Sequence, residues 1–260
     1  MIGVSTACLY PEQTEESLRY LAENGVQTVE VFFNTFSEFS KEYALQLKKL
    51  CDQYHVHIYS VHPFTSFMET YLFFDEYARR KKDGFKLYRS FFEVAQMLGA
   101  QVFNFHGQAL DRPDDFEKYV QIYSDLFRMA KEYDLIFSQE NVRNYKSRSI
   151  EFVSNMANTL QNEVAFTFDI KQAHMAGEDL LSMAKAMAER LVLVHINDYN
   201  DSQSCLLPTY GNCDLAAIKQ TLSQYQYTGP YMIEVYSSNY QQRNEILNSK
   251  NRLEKIFGER

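Results

Sequence analysis

Eight short runs rich in β-branched and aromatic residues recur along the 260-residue chain, each followed by a longer stretch with helical spacing. They are IGVST (2–6), TVEVFF (28–33), HIYSVH (57–62), QVFNFH (101–106), LIFSQE (135–140), VAFTFD (164–169), LVLVHI (191–196) and YMIEVY (231–236). Between them lie TEESLRYLAENG, KEYALQLKKLCDQY, FEKYVQIYSDLFRMAKEY and DLAAIKQTLSQY, whose apolar residues recur at three and four, the mark of an amphipathic helix. Gly25, Gly99 and Gly229 each follow such a stretch and precede a strand, as helix stops do. Strand–helix alternation with right-handed crossovers builds a parallel sheet, and eight units in this length fit a closed (β/α)₈ TIM barrel, with an open doubly wound α/β sheet as the alternative. No linker, low-complexity segment or internal repeat divides residues 1–260, so one domain is expected.

A barrel of this kind gathers its active site where strands end and the following loops begin. Strands three to eight end at or near His62, His106, Glu140, Asp169, His195 and Glu234, all residue types that bind divalent metals or move protons. Any one of them alone is more often a cap or a satisfied loop residue. As a set they make a different demand, because three carboxylates converging without a cation would repel one another and take up protons. A metal resolves that conflict: oxygen-rich ligation with one imidazole suits Mn²⁺, Mg²⁺ or Co²⁺, and Zn²⁺ becomes the better match if His62 or His106 also ligates.

Bulk properties narrow the partners. A net charge of −8 argues against a surface built to neutralise phosphates, so nucleic acid is not the expected partner. Cys8, Cys51, Cys205 and Cys213 lie far apart with no C-x-x-C pair, which suits free thiols in a reducing compartment, and a cytoplasmic protein is expected. The N-terminal MIGVSTACLYPEQ lacks the pattern of an export signal, and no run of eighteen apolar residues suggests a membrane span.

The series SVH, FNFHG, SQEN, FDIKQAH, VHIND and IEV resembles the xylose-isomerase-like barrel superfamily over nearly the whole chain. That superfamily holds sugar isomerases and epimerases, cyclitol-processing enzymes and nucleases of the endonuclease IV type. The resemblance implies one divalent ion on Glu140, Asp169, His195 and Glu234, with Glu140 and Glu234 as the catalytic acid–base pair. It implies an isomerase or epimerase of a small sugar, sugar phosphate or cyclitol, working by proton abstraction next to a carbonyl through a metal-stabilised enediolate; a dehydratase would share the enolising step. An apurinic-site phosphodiesterase or a noncatalytic sugar-binding barrel are the alternatives. The family often has a histidine three residues after the strand-six aspartate; Gln172 stands here, with His174 two further on. His62, His106, Gln172, His174 and Asp198 are the candidates for substrate contact, Asp198 alternatively orienting His195 or making local loop bonds.

Other features have bland readings beside sharper ones. Glu30 either faces the site or makes a buried structural bond. His55 and His57 belong to the opposite face of the barrel, and Asp214 sits where a helix N-cap belongs. The crossover FTSFMETYLFFDEYARRKKDGF is dense in aromatics that suit core packing, a lid or contact with a second copy of the chain. Within it, ARRKK (78–82) suits a solvated helix end or a phosphate.

Overall fold

A computed structural model describes residues 1–113 and 115–258. Among the described residues ten strands form, eight of them in one closed parallel barrel: β1 (Ile2–Ser5), β2 (Thr28–Phe33), β3 (His57–Pro63), β4 (Val102–Phe105), β5 (Ile136–Glu140), β6 (Phe166–Asp169), β7 (Leu191–Ile196) and β10 (Tyr231–Ile233). β1 pairs with both β2 and β10, which closes the ring and removes the open-sheet alternative. The two short strands β8 (Asp198–Tyr199) and β9 (Ser204–Leu206) form an antiparallel hairpin above β7. The helices are α1 (Thr14–Glu23), α2 (Lys41–Tyr54), α3 (Ser66–Phe73), α4 (Ala78–Met97), α5 (Phe116–Lys131), α6 (Ile150–Leu160), α7 (Ile170–Ala176), α8 (Leu180–Met187), α9 (Leu215–Gln224) and α10 (Asn244–Phe257).

Strand alternation sorts the side chains into two layers. On β4, Phe103 and Phe105 point outward, where they pack against Tyr88, Phe92 and Phe137, while Asn104 between them bonds across the barrel interior. Ser60, Asn104, Ser138 and Thr167 form one buried polar ring, tied by Ser138 Oγ to Thr167 Oγ1 (2.7 Å) and Thr167 Oγ1 to Asn104 Oδ1 (2.7 Å). Two residues further along the same strands come His62, His106, Glu140 and Asp169. The period of two that puts serine, threonine and asparagine inside therefore also points the four strand-end groups into the mouth.

Three of the expected elements are shorter than their apolar runs by two residues or more, and 2–6 and 135–140 each lose one. The run 231–236 contributes only Tyr231–Ile233 to the ladder, 164–169 only Phe166–Asp169, and 101–106 only Val102–Phe105. In the first and third, the chain leaves the sheet as it reaches the mouth. Gly25 and Gly99 close α1 and α4 in left-handed conformations, as expected. Gly229 does not cap a helix, since α9 ends at Gln224; a Cβ there would lie 2.7 Å from the Val192 carbonyl, so backbone proximity excludes a side chain. Asp214 is the N-cap of α9, accepting from the Ala217 N–H at 2.9 Å.

Candidate metal centre at the barrel mouth

Glu140, Asp169, His195 and Glu234 converge, with one ligand-type atom from each lying within 4.8 Å of all the others. They come from the ends of β5, β6 and β7 and the residue after β10, four positions spread over nearly a hundred residues. Asp169 and His195 are fully buried, and Glu234 keeps only 8% of its surface.

The protonation of His195 follows from what lies beneath it. Its Nε2 is 3.1 Å from Oε2 of Glu30, a wholly buried carboxylate that also accepts from Ser60 Oγ and Asn104 Nδ2, each at 2.8 Å. Burial would raise Glu30, but the imidazoles of His195 and His62 and the Ser60 hydroxyl hold it down to about 2. Burial disfavours charge on His195, but Glu30, Glu234 and Glu140 prevail and hold the ring well above its ordinary value; Glu30 keeps the proton on Nε2, so it is the proton on Nδ1 that a cation would displace. Nδ1 then faces Glu234 Oε2 at 3.4 Å, Glu140 Oε1 at 3.8 Å and Asp169 Oδ2 at 3.9 Å, with no hydrogen bond to any of them. Asp169 Oδ2 is likewise buried without a hydrogen-bond donor. A ring nitrogen without a hydrogen-bond partner and three carboxylate oxygens converging on one spot is an arrangement that a cation satisfies by taking the place of the Nδ1 proton, so the donor set fits a divalent ion.

His62 and His106 add a second donor group around Glu140. Their Nε2 atoms lie 3.1 Å apart, and each approaches Glu140 Oε2, at 3.3 Å and 3.1 Å respectively. Together with Glu140 they form a second possible cation-binding trio. Burial pushes Glu140 up, but His106, His195 and His62 prevail and hold its carboxyl well below the usual range. The position of His106 depends on Glu69 of α3, a wholly buried carboxylate whose Oε2 accepts from the backbone N–H of His106 (2.9 Å) and Gly107 (2.6 Å), while Oε1 accepts from Tyr88 (2.7 Å). Gly107 has φ +91°, and a Cβ there would collide with the Tyr119 hydroxyl.

Lys171, in the first turn of α7, is a site residue that strand-end reasoning passed over. It is 4% exposed, with Nζ 3.4 Å from Asp169 Oδ2 and 3.5 Å from Glu234 Oε2, and it lies over the Tyr236 ring at 4.8 Å. Burial disfavours its charge, but Asp169 and Glu234 prevail and hold the ammonium well above its ordinary value. A cavity of about 360 Å³ opens beside the cluster, lined by Tyr10, Phe32, Asn34, Lys171, Glu234 and Tyr236 among others.

Three of the substrate-contact candidates are turned elsewhere. Asp198 accepts four backbone N–H groups, from Tyr199 (2.8 Å), Thr209 (3.1 Å), Gly211 (2.9 Å) and Cys213 (2.9 Å), so it braces the loop after β9 instead of orienting His195. The side-chain oxygen of Gln172 accepts from the Arg143 N–H at 3.0 Å, tying α7 to the loop after β5. His174 stacks on Tyr199 with ring centroids 3.5 Å apart, in a separate surface groove beside α8 and α9. His55 closes α2 in a left-handed conformation, and His57 begins β3 at the opposite end from the cluster. Within 78–82, Arg80 pairs with Asp75 at 2.9 Å on the half-exposed start of α4. The crossover aromatics divide: Phe73 and Phe74 are core, whereas Phe67 and Tyr71 are exposed.

Comparison with known proteins gives three findings. The family model described as xylose isomerase-like TIM barrel matches residues 18–256. An uncharacterised protein of Mycobacterium leprae is 25% identical over 265 residues, covering 94% of this chain and 91% of the relative. Among solved structures, a D-tagatose 3-epimerase-like protein superposes with a TM-score of 0.83 at 20% identity, covering 99% of this chain and 97% of that one. The IOLI protein, solved with a bound zinc atom, gives 0.82 at 15% identity over 99% and 98%. D-psicose 3-epimerase from Clostridium cellulolyticum H10, solved with D-tagatose, gives 0.78 at 14% identity over 98% and 96%.

Proposed function

The chain belongs to the xylose isomerase-like TIM barrel family, and from that premise we propose that it is a divalent-metal-dependent isomerase or epimerase of a small sugar, sugar phosphate or cyclitol. The observation that carries the reading is the Nδ1 of His195, without a hydrogen-bond partner, facing three carboxylates, one of which has an unpartnered buried oxygen. Glu140, Asp169, His195 and Glu234 would hold the ion, which when bound supplies Lewis-acid stabilisation to the oxygen anion that develops as a proton leaves the neighbouring carbon. Glu140 and Glu234 enter from strands separated by β6 and β7, flanking the substrate so that one takes the carbon-bound proton and the other returns it, inverting the centre. Returning the proton to the adjacent carbon gives aldose–ketose isomerisation with the same groups. His62 and His106 present imidazole nitrogens to substrate hydroxyls. The aromatic walls of the cavity cover the C–H face of a sugar and keep water from the exposed anion. The D-psicose 3-epimerase solved with D-tagatose and the D-tagatose 3-epimerase-like protein among the structural neighbours support a carbohydrate substrate. Four free cysteines suit a cytoplasmic setting. Among the described residues no helix is long and apolar enough to cross a membrane.

A panel of ketoses incubated in deuterated solvent with the Mn²⁺-loaded protein tests this directly. Exchange of a carbon-bound proton in at least one ketose is expected; tight ligand binding without exchange of any would instead mark a noncatalytic barrel. A second reading, phosphodiester cleavage at damaged DNA, draws on the His62–His106–Glu140 donor group. The net charge of −8 opposes it, since a DNA-facing surface is basic. Metal content per chain separates the two, with one ion expected for the isomerase and three zinc ions for the nuclease.

A further inference from the structure

Lys171 has no role in the ion-binding set, yet the fold buries its ammonium at the edge of the reaction cavity. A buried ammonium is costly unless charge and hydrogen bonds compensate it. Here Asp169 and Glu234 do so at 3.4 and 3.5 Å, and the Tyr236 ring covers another side. Only the contact to Glu234 is a hydrogen bond, and a long one, so the three N–H donors are not all used. The remaining capacity faces a cavity whose other walls include Tyr10, Phe32 and Val235, and among the described residues that line it Lys171 is the one cation. Charge makes the same point. Glu30, Glu140, Asp169 and Glu234 bring four negative charges into one buried region, which a divalent ion and Lys171 together offset only in part. An oxygen anion forming on a substrate there needs a donor on its cavity side.

We propose that Lys171 is a catalytic residue that donates a hydrogen bond to the substrate oxygen on which negative charge accumulates, selecting α-hydroxycarbonyl compounds whose reacting oxygens pass through a planar, singly charged enediolate state. This rests on the metal-dependent reading above. In the step concerned, the carbon-bound proton passes to Glu234 or Glu140. The C–H electron pair becomes the carbon–carbon double bond, and the carbonyl π pair ends on oxygen. Lys171 remains protonated throughout and transfers nothing.

Oxalate, a planar dianion with the oxygen spacing of an enediolate, serves as the probe. Calorimetric titration of oxalate into the Mn²⁺-loaded full chain compares the unaltered protein with Lys171→Met, Lys171→Gln and Lys171→Arg. The first two are expected to bind oxalate about 10- to 100-fold more weakly, the worth of one hydrogen bond to a charged group, and Lys171→Arg to stay within about threefold of the unaltered protein. Mn²⁺ affinity of Lys171→Met and Lys171→Gln is expected to be unchanged or tighter, because a neighbouring positive charge has gone. Unchanged oxalate affinity in both overturns the proposal, as does loss of oxalate and Mn²⁺ binding together in a variant that melts as a folded protein. Failure of the Mn²⁺-loaded unaltered protein to bind oxalate also overturns it. Failure of the unaltered protein to take up Mn²⁺ at all is a distinct outcome that removes the metal-dependent reading and this inference with it.

Discussion

Glu30, one layer deeper in the barrel, holds the Nε2 side of the His195 ring, so the proposed metal ligand is tuned by a carboxylate that is itself wholly buried. Losing such an outer partner typically weakens metal binding about 10- to 100-fold. Glu30→Gln is therefore expected to lower Mn²⁺ affinity by that factor in a titration, and an unchanged affinity would separate Glu30 from the site. Asp169 gives a pH signature in the metal-free protein. Burial, reinforced by Glu140 and Glu234 and opposed by Lys171, pushes it from its usual 3.8 up to about 6. Between those values the folded chain holds a proton that the unfolded chain has released, so the Asp169 contribution to stability falls as pH rises through the window and is constant above it. Urea midpoints at pH 4.5 and 6.5 are expected to show a drop that Asp169→Asn reduces; an equal drop in the variant would contradict the shift. Replacing Glu234 by Gln is expected to cut proton exchange by about 10²–10⁴-fold, the usual weight of a general base. At this scale the six strand-end residues were legible because the strand period aims them. Lys171 was not: a lysine at a helix start reads as solvated, and its burial depends on Glu234, 63 residues away.

The hairpin β8–β9 and the loop to α9 form an element that the apolar pattern does not reveal, since two- and three-residue strands carry too little periodicity. Its organising centre is Asp198, whose carboxylate accepts from the backbone N–H groups of Tyr199, Thr209, Gly211 and Cys213. Asp198→Ala leaves them to solvent or strain and is expected to destabilise the fold by about 1–3 kcal/mol, with Mn²⁺ affinity unchanged, measured by melting and by titration. A loss of metal affinity without loss of stability would return Asp198 to the site. The strand bodies, by contrast, were readable nearly to the residue, as in β2 and β7. Their ends were overextended where the chain peels from the ladder: Glu234 and Tyr236 continue an apolar run yet serve the mouth.

Across the whole molecule, the ring closes because β1 finds a partner on each side, and closure brings together ligands spaced from residue 140 to residue 234. Eight strand–helix units announce that architecture in the sequence, and residues 1–260 are read as one domain because barrel strands run from Ile2 to Ile233. What the sequence cannot carry is the cavity, whose walls Tyr10, Phe32, Lys171 and Tyr236 come from four separate parts of the chain and acquire meaning only after closure. The measurement that bears most directly on all of this is an anomalous diffraction map from crystals of the full chain equilibrated with Mn²⁺. One peak about 2.0–2.3 Å from Nδ1 of His195 and from carboxylate oxygens of Glu140, Asp169 and Glu234 is expected. A map with no peak among those four side chains, or with metal only between His62 and His106, would contradict it.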